Sequence, residues 1–175
     1  LSIDNIRKVD YINNIEKTRK QKQMKLREYT QEGYKRINST LRKNKNYQIE
    51  SELEQLNQEL INCPIHIGTV YRGLAMDESE ISDLFVPGKI YRDFAFMSTS
   101  ITHVESQRFN VVHLPLSRTD NRSVTLTISS KTGRYIGKNS QYAEQEVLFA
   151  PLTRFKVISV RKDDWEEYFI ELEEV

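Results

Sequence analysis

Hydrophobic and polar positions change their period once along the chain, near Pro64, and that change separates a helical N-terminal part from a strand-rich remainder. From about Asp4 to Asn44 good helix formers dominate, proline is absent, and Tyr34, Ile37 and Leu41 recur at helical spacing. Gly33, preceded by Thr30, Gln31 and Glu32, predicts a turn or a helix restart, so at least two helices are expected here. Another helix is predicted from about Tyr47 to Ile61, with Ile49, Leu53, Leu56 and Leu60 as one apolar stripe and Glu50, Glu52, Glu54 and Glu59 mostly off it. Pro64 stops that helix. Beyond it, short strand-like runs are divided by turn residues: Gly68 to Gly73, Lys89 to Thr99, Ser123 to Ser129, Gln145 to Phe149, Arg154 to Val160 and Trp165 to Glu173. Short helices are expected at Glu78 to Phe85 and near Thr102 to Phe109.

Helices segregated from strands mean an α+β fold and not a doubly wound parallel sheet. The expected division is a helical region over residues 1–62 packed on a β-rich core over 63–175, the two making one domain. Neighbouring strands on short links pair antiparallel, and two packed sheets can leave a cleft between them.

Composition changes this picture little. A chain of 175 residues with 38% hydrophobic content can bury one ordinary core. Twenty-six Lys and Arg against 25 Asp and Glu leave +1, so no global field favours nucleic acid or an acidic membrane. Locally, Glu16 to Lys45 holds eleven bases and three acids, whereas Asp163 to Val175 holds seven acids and no base. The opposite ends either attract one another or present a basic arm to an acidic partner. The run Lys17 to Lys25 lacks interleaved aromatics and reads as a solvated helix, not a nucleic-acid reader. Cys63 is the single cysteine, which excludes an intramolecular disulfide and reads as a buried thiol. No apolar run approaches the roughly 18 residues of a membrane span, and Leu1-Ser2-Ile3-Asp4 is no signal peptide, so a soluble chain is expected. A start without Met is what a fragment or a processed product would show.

Three stretches carry candidate chemistry. In Val70-Tyr71-Arg72-Gly73-Leu74 an arginine ends an apolar strand; a guanidinium grips phosphate through two parallel hydrogen bonds, and the glycine allows close backbone approach. By itself a strand-end Arg is usually a surface charge. In Phe94-Ala95-Phe96-Met97-Ser98-Thr99-Ser100 apolar residues give way to three hydroxyls suited to holding an acid or a sugar, although ordinary turn chemistry looks the same. In Tyr142-Ala143-Glu144-Gln145-Glu146-Val147-Leu148-Phe149 the two acids project from one strand face, about 7 Å apart, with Gln145 turned away. Alone, that pair reads as a solvated strand face. The loop before it, Gly133 to Gln141, is expected to be an exposed connection that brings a partner to the acids. His66, His103 and His113 show no metal spacing with Cys63 or with acids, and no G-x-S-x-G elbow surrounds Ser98, so these histidines read as structural or surface residues.

Arg72, then Ser98-Thr99-Ser100, then Glu144-Gln145-Glu146 together resemble the R-S-E signature of mono-ADP-ribosyltransferases of the clostridial binary-toxin and vertebrate ecto-transferase group. The resemblance runs from about Tyr29 to the C-terminus, with Tyr29 to Arg42 similar to the family's N-terminal helix pattern and Gly137 to Phe149 similar to its substrate-recognition loop. It implies a two-sheet mixed or antiparallel core with an NAD cleft. It also implies that NAD is the substrate, without a metal, and that Glu146 hydrogen-bonds the ribose, Ser98 holds Glu146, and Arg72 binds the phosphate or ribose side. Gly73 then offers backbone contacts to nicotinamide, and Thr99 joins the NAD-binding set. Glu144 orients an acceptor arginine, which a Gln there would not, and Tyr142 either touches the target protein or packs under the loop. Arg108 or Phe109 falls where the family's phosphate-nicotinamide loop is expected.

The implied activity is transfer of ADP-ribose from NAD to an arginine of a target protein. The competing readings are an NAD glycohydrolase and a non-catalytic binding module using the basic helices. With many Lys, Asn and Ile and no disulfide, the chain is closer to a bacterial toxin or effector than to the ecto-enzymes, secreted or delivered into a target cell to act in its cytoplasm. Actin is among the targets of related toxins, and an immunity or inhibitor protein is a further expected partner, the basic helices being one docking surface for either.

Overall fold

The computed structural model describes residues 25–44, 51–106, 121–140 and 145–175. Helix α1 runs without a break from residue 26 to 44: Leu26–Glu28 is α-helical, Tyr29–Gly33 is a π-turn and Tyr34–Asn44 is α-helical again. At the second junction the Tyr34 N–H reaches back to the Tyr29 carbonyl, five residues away, with both residues in the right-handed helical region. The break expected at Gly33 is therefore corrected to a one-residue widening of a continuous helix. The energetics explain why: a helical glycine costs about 1 kcal/mol, whereas each buried large apolar side chain contributes about 1.5–3 kcal/mol. Leu26, Tyr29, Ile37 and Leu41, spread over the whole of α1, are all buried. The part of this helical region before residue 25 lies outside the described residues.

Helix α2 (Ser51–Ile61) buries Leu53, Leu56 and Leu60 of the predicted stripe, whose first member, Ile49, lies outside the described residues. Glu59 does more than the expected solvated acid, because its Oε2 accepts the Leu26 N–H at 2.8 Å and so satisfies an orphan donor at the start of α1. Cys63 is half-buried, not fully buried as expected; its Sγ donates to the Glu59 carbonyl at 3.4 Å, and burial raises its pKa.

The remaining elements are β1 (Gly68–Asp77), α3 (Glu78–Leu84), β2 (Ile90–Tyr91), β3 (Met97–Ser100), α4 (His103–Ser106), β4 (Asn121–Ser130), β5 (Arg134–Tyr135), β6 (Glu146–Phe149), β7 (Phe155–Lys162) and β8 (Tyr168–Glu174). The single strand expected from Lys89 to Thr99 is corrected to β2 and β3, which lie in different parts of the sheet. Asp93 breaks it: its Oδ1 accepts the Ala95 N–H at 2.9 Å, an Asx turn that redirects the chain. The exposed connection expected at Gly133 to Gln141 is corrected too, since it contains β5, buries Gly133 and Ile136, and turns through a 3₁₀ helix at Gly137–Asn139.

The strands form a mixed ladder in the order β2-β7-β8-β4-β1-β3-β6-β5, with β4 and β8 parallel and the other pairs antiparallel. Two sheets were expected. Here β2-β7-β8-β4-β1 and β3-β6-β5 are joined through one residue pair, Tyr71 opposite Ser100, so the ladder narrows to a seam. One core cluster holds Val70, Leu126, Ile170 and their neighbours. The other joins α1 and α2 to Ala95, Phe96, Ile136 and Leu148. Strand β6 lies between them, sending Val147 and Phe149 into the first and Leu148 into the second, with all three essentially inaccessible. A strand packed on both faces is a stiff support for whatever its first residue carries. That residue is Glu146.

Candidate active site

The seam brings three of the predicted side chains into one chain of contacts. Arg72, on β1, donates from Nη1 to the Ser98 carbonyl at 2.5 Å. Ser98, on β3, donates from Oγ to Glu146 Oε1 at 2.5 Å. Register accounts for the second contact, because Ser98 stands opposite Leu148 and Ser100 opposite Glu146, which puts Ser98 and Glu146 diagonally across one face. Ser140 completes the group by donating to Glu146 Oε2 at 2.6 Å. Both carboxylate oxygens are thus fixed by neutral hydroxyls.

Thr99 is not brought into this group. Period-two alternation turns it to the opposite face, where it is 4% exposed and its Oγ1 donates to the Val147 carbonyl at 2.7 Å. There it clamps β3 to β6. Gly73 follows Arg72 on β1, opposite Thr125, and is buried. Gln145 is exposed. Glu144 and Tyr142, like Arg108, Phe109 and His113, lie outside the described residues. The His103 ring stands edge-on to Tyr71 at 5.3 Å, and the His66 carbonyl accepts from Ser130 Oγ.

Beside Arg72 opens a cleft of about 540 Å³, walled by Tyr34, Lys35, Asn38, Ser39, Arg42 and Lys43 of α1. Arg42 is paired with Asp93 through Nε at 3.0 Å and Nη2 at 2.7 Å, which leaves Arg72, Lys35 and Lys43 as cations for a ligand. Burial lowers the Arg72 pKa, yet a guanidinium remains protonated at any ordinary pH. Asn38 donates to the Phe96 carbonyl at 3.3 Å and accepts from the Tyr29 hydroxyl at 3.2 Å, while the Tyr29 and Phe96 rings lie 5.2 Å apart. Burial raises the pKa of Tyr29, and pushes that of Tyr91 up to about 12 with help from the Asp93 charge, so both phenols are neutral in the working range. A cationic cleft that shares Arg72 with the hydrogen-bonded chain through Ser98 to Glu146 fits a dinucleotide diphosphate: cations for the phosphates, an acid for the sugar.

Sequence reasoning missed Ser140, Asn38, Arg42 and Asp93. Asn38 and Arg42 had a usable signal, two polar residues one helical turn apart beside the stripe Ile37 and Leu41. Ser140 had none, being one hydroxyl among several in a polar loop.

The chain belongs to the ADP-ribosyltransferase exoenzyme family, whose pattern matches residues 7–174. It is 33% identical over 132 residues to the NAD(+)-protein-arginine ADP-ribosyltransferase Tre1 of Pseudomonas putida (strain GB-1), covering 74% of this chain and 24% of that protein. It is 29% identical over 140 residues to the putative NAD(+)-arginine ADP-ribosyltransferase Mav of Mycobacterium avium (strain 104), covering 79% of this chain and 16% of that protein. The chain therefore spans a quarter or less of the length of these curated relatives. Among solved structures, the Vis toxin from Vibrio splendidus, an ADP-ribosyltransferase, is 26% identical with a TM-score of 0.71, over 86% of this chain and 70% of that one. Vis in complex with agmatine matches with a TM-score of 0.70 over 86% and 72%.

Proposed function

We propose that this chain transfers ADP-ribose from NAD to an arginine side chain of a target protein and releases nicotinamide. The observation that carries the reading is the Glu146 carboxylate, fixed on both oxygens by Ser98 and Ser140 and next in line to Arg72. As the bond between ribose and nicotinamide breaks, its electron pair leaves with nicotinamide and positive charge develops on the sugar. Glu146 stabilises that charge, as a carboxylate does in glycoside cleavage. Arg72, with Lys35 and Lys43 on the cleft wall, holds the diphosphate.

The acceptor's guanidino nitrogen then forms the new bond to the sugar. A guanidinium must give up a proton to do so, and Glu144, two residues before Glu146, is the base we assign to it. Two relatives described as arginine transferases support this acceptor, as does the complex of Vis with agmatine, itself a guanidino compound. Tyr142 touches the target in this reading, Gly73 contacts nicotinamide, and helices and sheet work as one catalytic unit. The description of Vis as a toxin supports action inside another cell.

Labelled NAD incubated with the chain and agmatine tests the proposal. Labelled agmatine and free nicotinamide are expected in equal amounts, and Glu146→Gln abolishes both. Glu144→Gln is expected to suppress the labelled product while leaving some nicotinamide release. Nicotinamide release without any labelled agmatine or protein would make the chain a glycohydrolase, and no turnover with NAD bound would make it a binding module.

A further inference from the structure

We propose that Ser140 is a positioning residue for Glu146 and that Thr30, from the π-turn of α1, sets Ser140 in place. The proposal rests on the catalytic role assigned to Glu146 above. Ser140 ends the 3₁₀ turn: the Asn139 N–H bonds the Ile136 carbonyl at 2.8 Å and the Ser140 N–H bonds the Gly137 carbonyl at 3.0 Å. The turn begins on Glu146 as well, since the Ile136 N–H bonds the Glu146 carbonyl at 3.0 Å. Glu146 is therefore gripped at its backbone by one end of the turn and at Oε2 by the other. Gly137, at φ +36°, permits so tight a reversal, and a Cβ there would lie 2.8 Å from the Tyr135 ring.

Such a turn holds its hydroxyl accurately only if something anchors it. Thr30 supplies the anchor. A threonine inside a helix normally satisfies its hydroxyl on the preceding turn, and the Arg27 carbonyl is available at 3.0 Å. Thr30 Oγ1 lies closer to the Asn139 carbonyl, at 2.7 Å, across 109 positions of sequence. The contact is 7% exposed at Thr30 and comes from the widened stretch of α1, the kind of π-bulge that recurs at functional sites. Because each carboxylate oxygen has two acceptor positions, Ser98 and Ser140 can stay bonded while a sugar hydroxyl binds the remaining ones. The pair fixes the carboxylate plane without spending its charge.

The test uses the full chain with three variants, Ser140→Ala, Thr30→Val and Thr30→Ser, and two measurements. Nicotinamide release against NAD concentration is expected to show kcat lower by about ten- to a hundred-fold in Ser140→Ala and Thr30→Val, with KM within about three-fold of wild type. Thr30→Ser, which keeps the hydroxyl, should restore most of kcat. Amide hydrogen exchange over residues 137–140 should quicken in Thr30→Val and not in Thr30→Ser, while Tm falls by no more than about 4 °C. Wild-type kcat in Ser140→Ala, or unchanged exchange in Thr30→Val, would overturn the proposal. So would a kcat loss in Thr30→Val that Thr30→Ser shares. If wild type releases no nicotinamide, the catalytic reading fails, and exchange still decides whether Thr30 anchors the turn.

Discussion

Glu78 and Glu146 are both bound at both carboxylate oxygens, but two of the three Glu78 donors are cations and neither Glu146 donor is. Glu78, at the start of α3, accepts from the Tyr168 hydroxyl at 2.6 Å and Lys162 at 2.9 Å on Oε1, and from Arg122 at 3.4 Å on Oε2. Lys162 and Arg122 also reach Glu166, at 2.6 and 3.6 Å. The Tyr168 hydrogen bond, followed by that of Lys162, holds the Glu78 pKa at about 2. Its charge is matched locally, and its work is to tie α3 to β4, β7 and β8. Glu146 has two serine donors and, among the described residues, no salt bridge. The nearest motif cation, Arg72, spends one nitrogen on the Ser98 carbonyl instead. Cationic donors fix a carboxylate by neutralising it; hydroxyls fix it and leave its charge for a cation-like sugar.

That contrast can be broken from either side. The largest effect is expected from Ser98→Ala, which frees Oε1 and should lower kcat for nicotinamide release by about a hundred-fold or more. Lys162→Ala should leave that rate within about two-fold, and a comparable loss in both variants would erase the distinction. Arg72→Gln is expected to raise KM for NAD about ten-fold, the value of a hydrogen bond to a charged group, as read by initial rates or calorimetry. A smaller effect, about two- to three-fold in KM and fading above about 0.3 M salt, is expected for Lys35→Ala on the open wall of the cleft. Glu78→Gln should change turnover least.

The signature of Glu78→Gln lies in the pH dependence of stability. The folded pKa is depressed from 4.5 to about 2, so the carboxylate stabilises the fold fully above about pH 4.5 and loses that contribution as pH falls through 2. Denaturant unfolding of wild type and Glu78→Gln should therefore differ at pH 6 and converge between pH 4.5 and 2. A difference that persists unchanged at pH 2 would contradict the assignment.

What the sequence disclosed follows the same division between local and long-range causes. Arg72, Ser98 and Glu146 were legible because each sits in a short motif whose residue types state its chemistry, and because strand alternation fixes which side chains share a face. The stripe of α2 and the change of period at Pro64 were legible for the same reason. Thr30 and Ser140 were not, since folding alone brings Thr30 to the Asn139 carbonyl, 109 positions away, beside the serine that bonds Glu146. Strand β5 has two residues, too few to show alternation. The split between β2 and β3 depends on one Asp93 side chain capturing an amide, which leaves the apolar pattern untouched. Thr99 stands apart from the two hydroxyls beside it because alternation turns the middle one of the three inward.

The central claim concerns Glu146, and nicotinamide release by wild type, Glu146→Gln and Glu78→Gln, measured side by side with NAD binding, tests it most directly. Glu146→Gln should bind NAD within about three-fold of wild type and lose turnover by at least about a hundred-fold, while Glu78→Gln turns over like wild type. Near-normal turnover in Glu146→Gln, or equal losses in both variants, would contradict it.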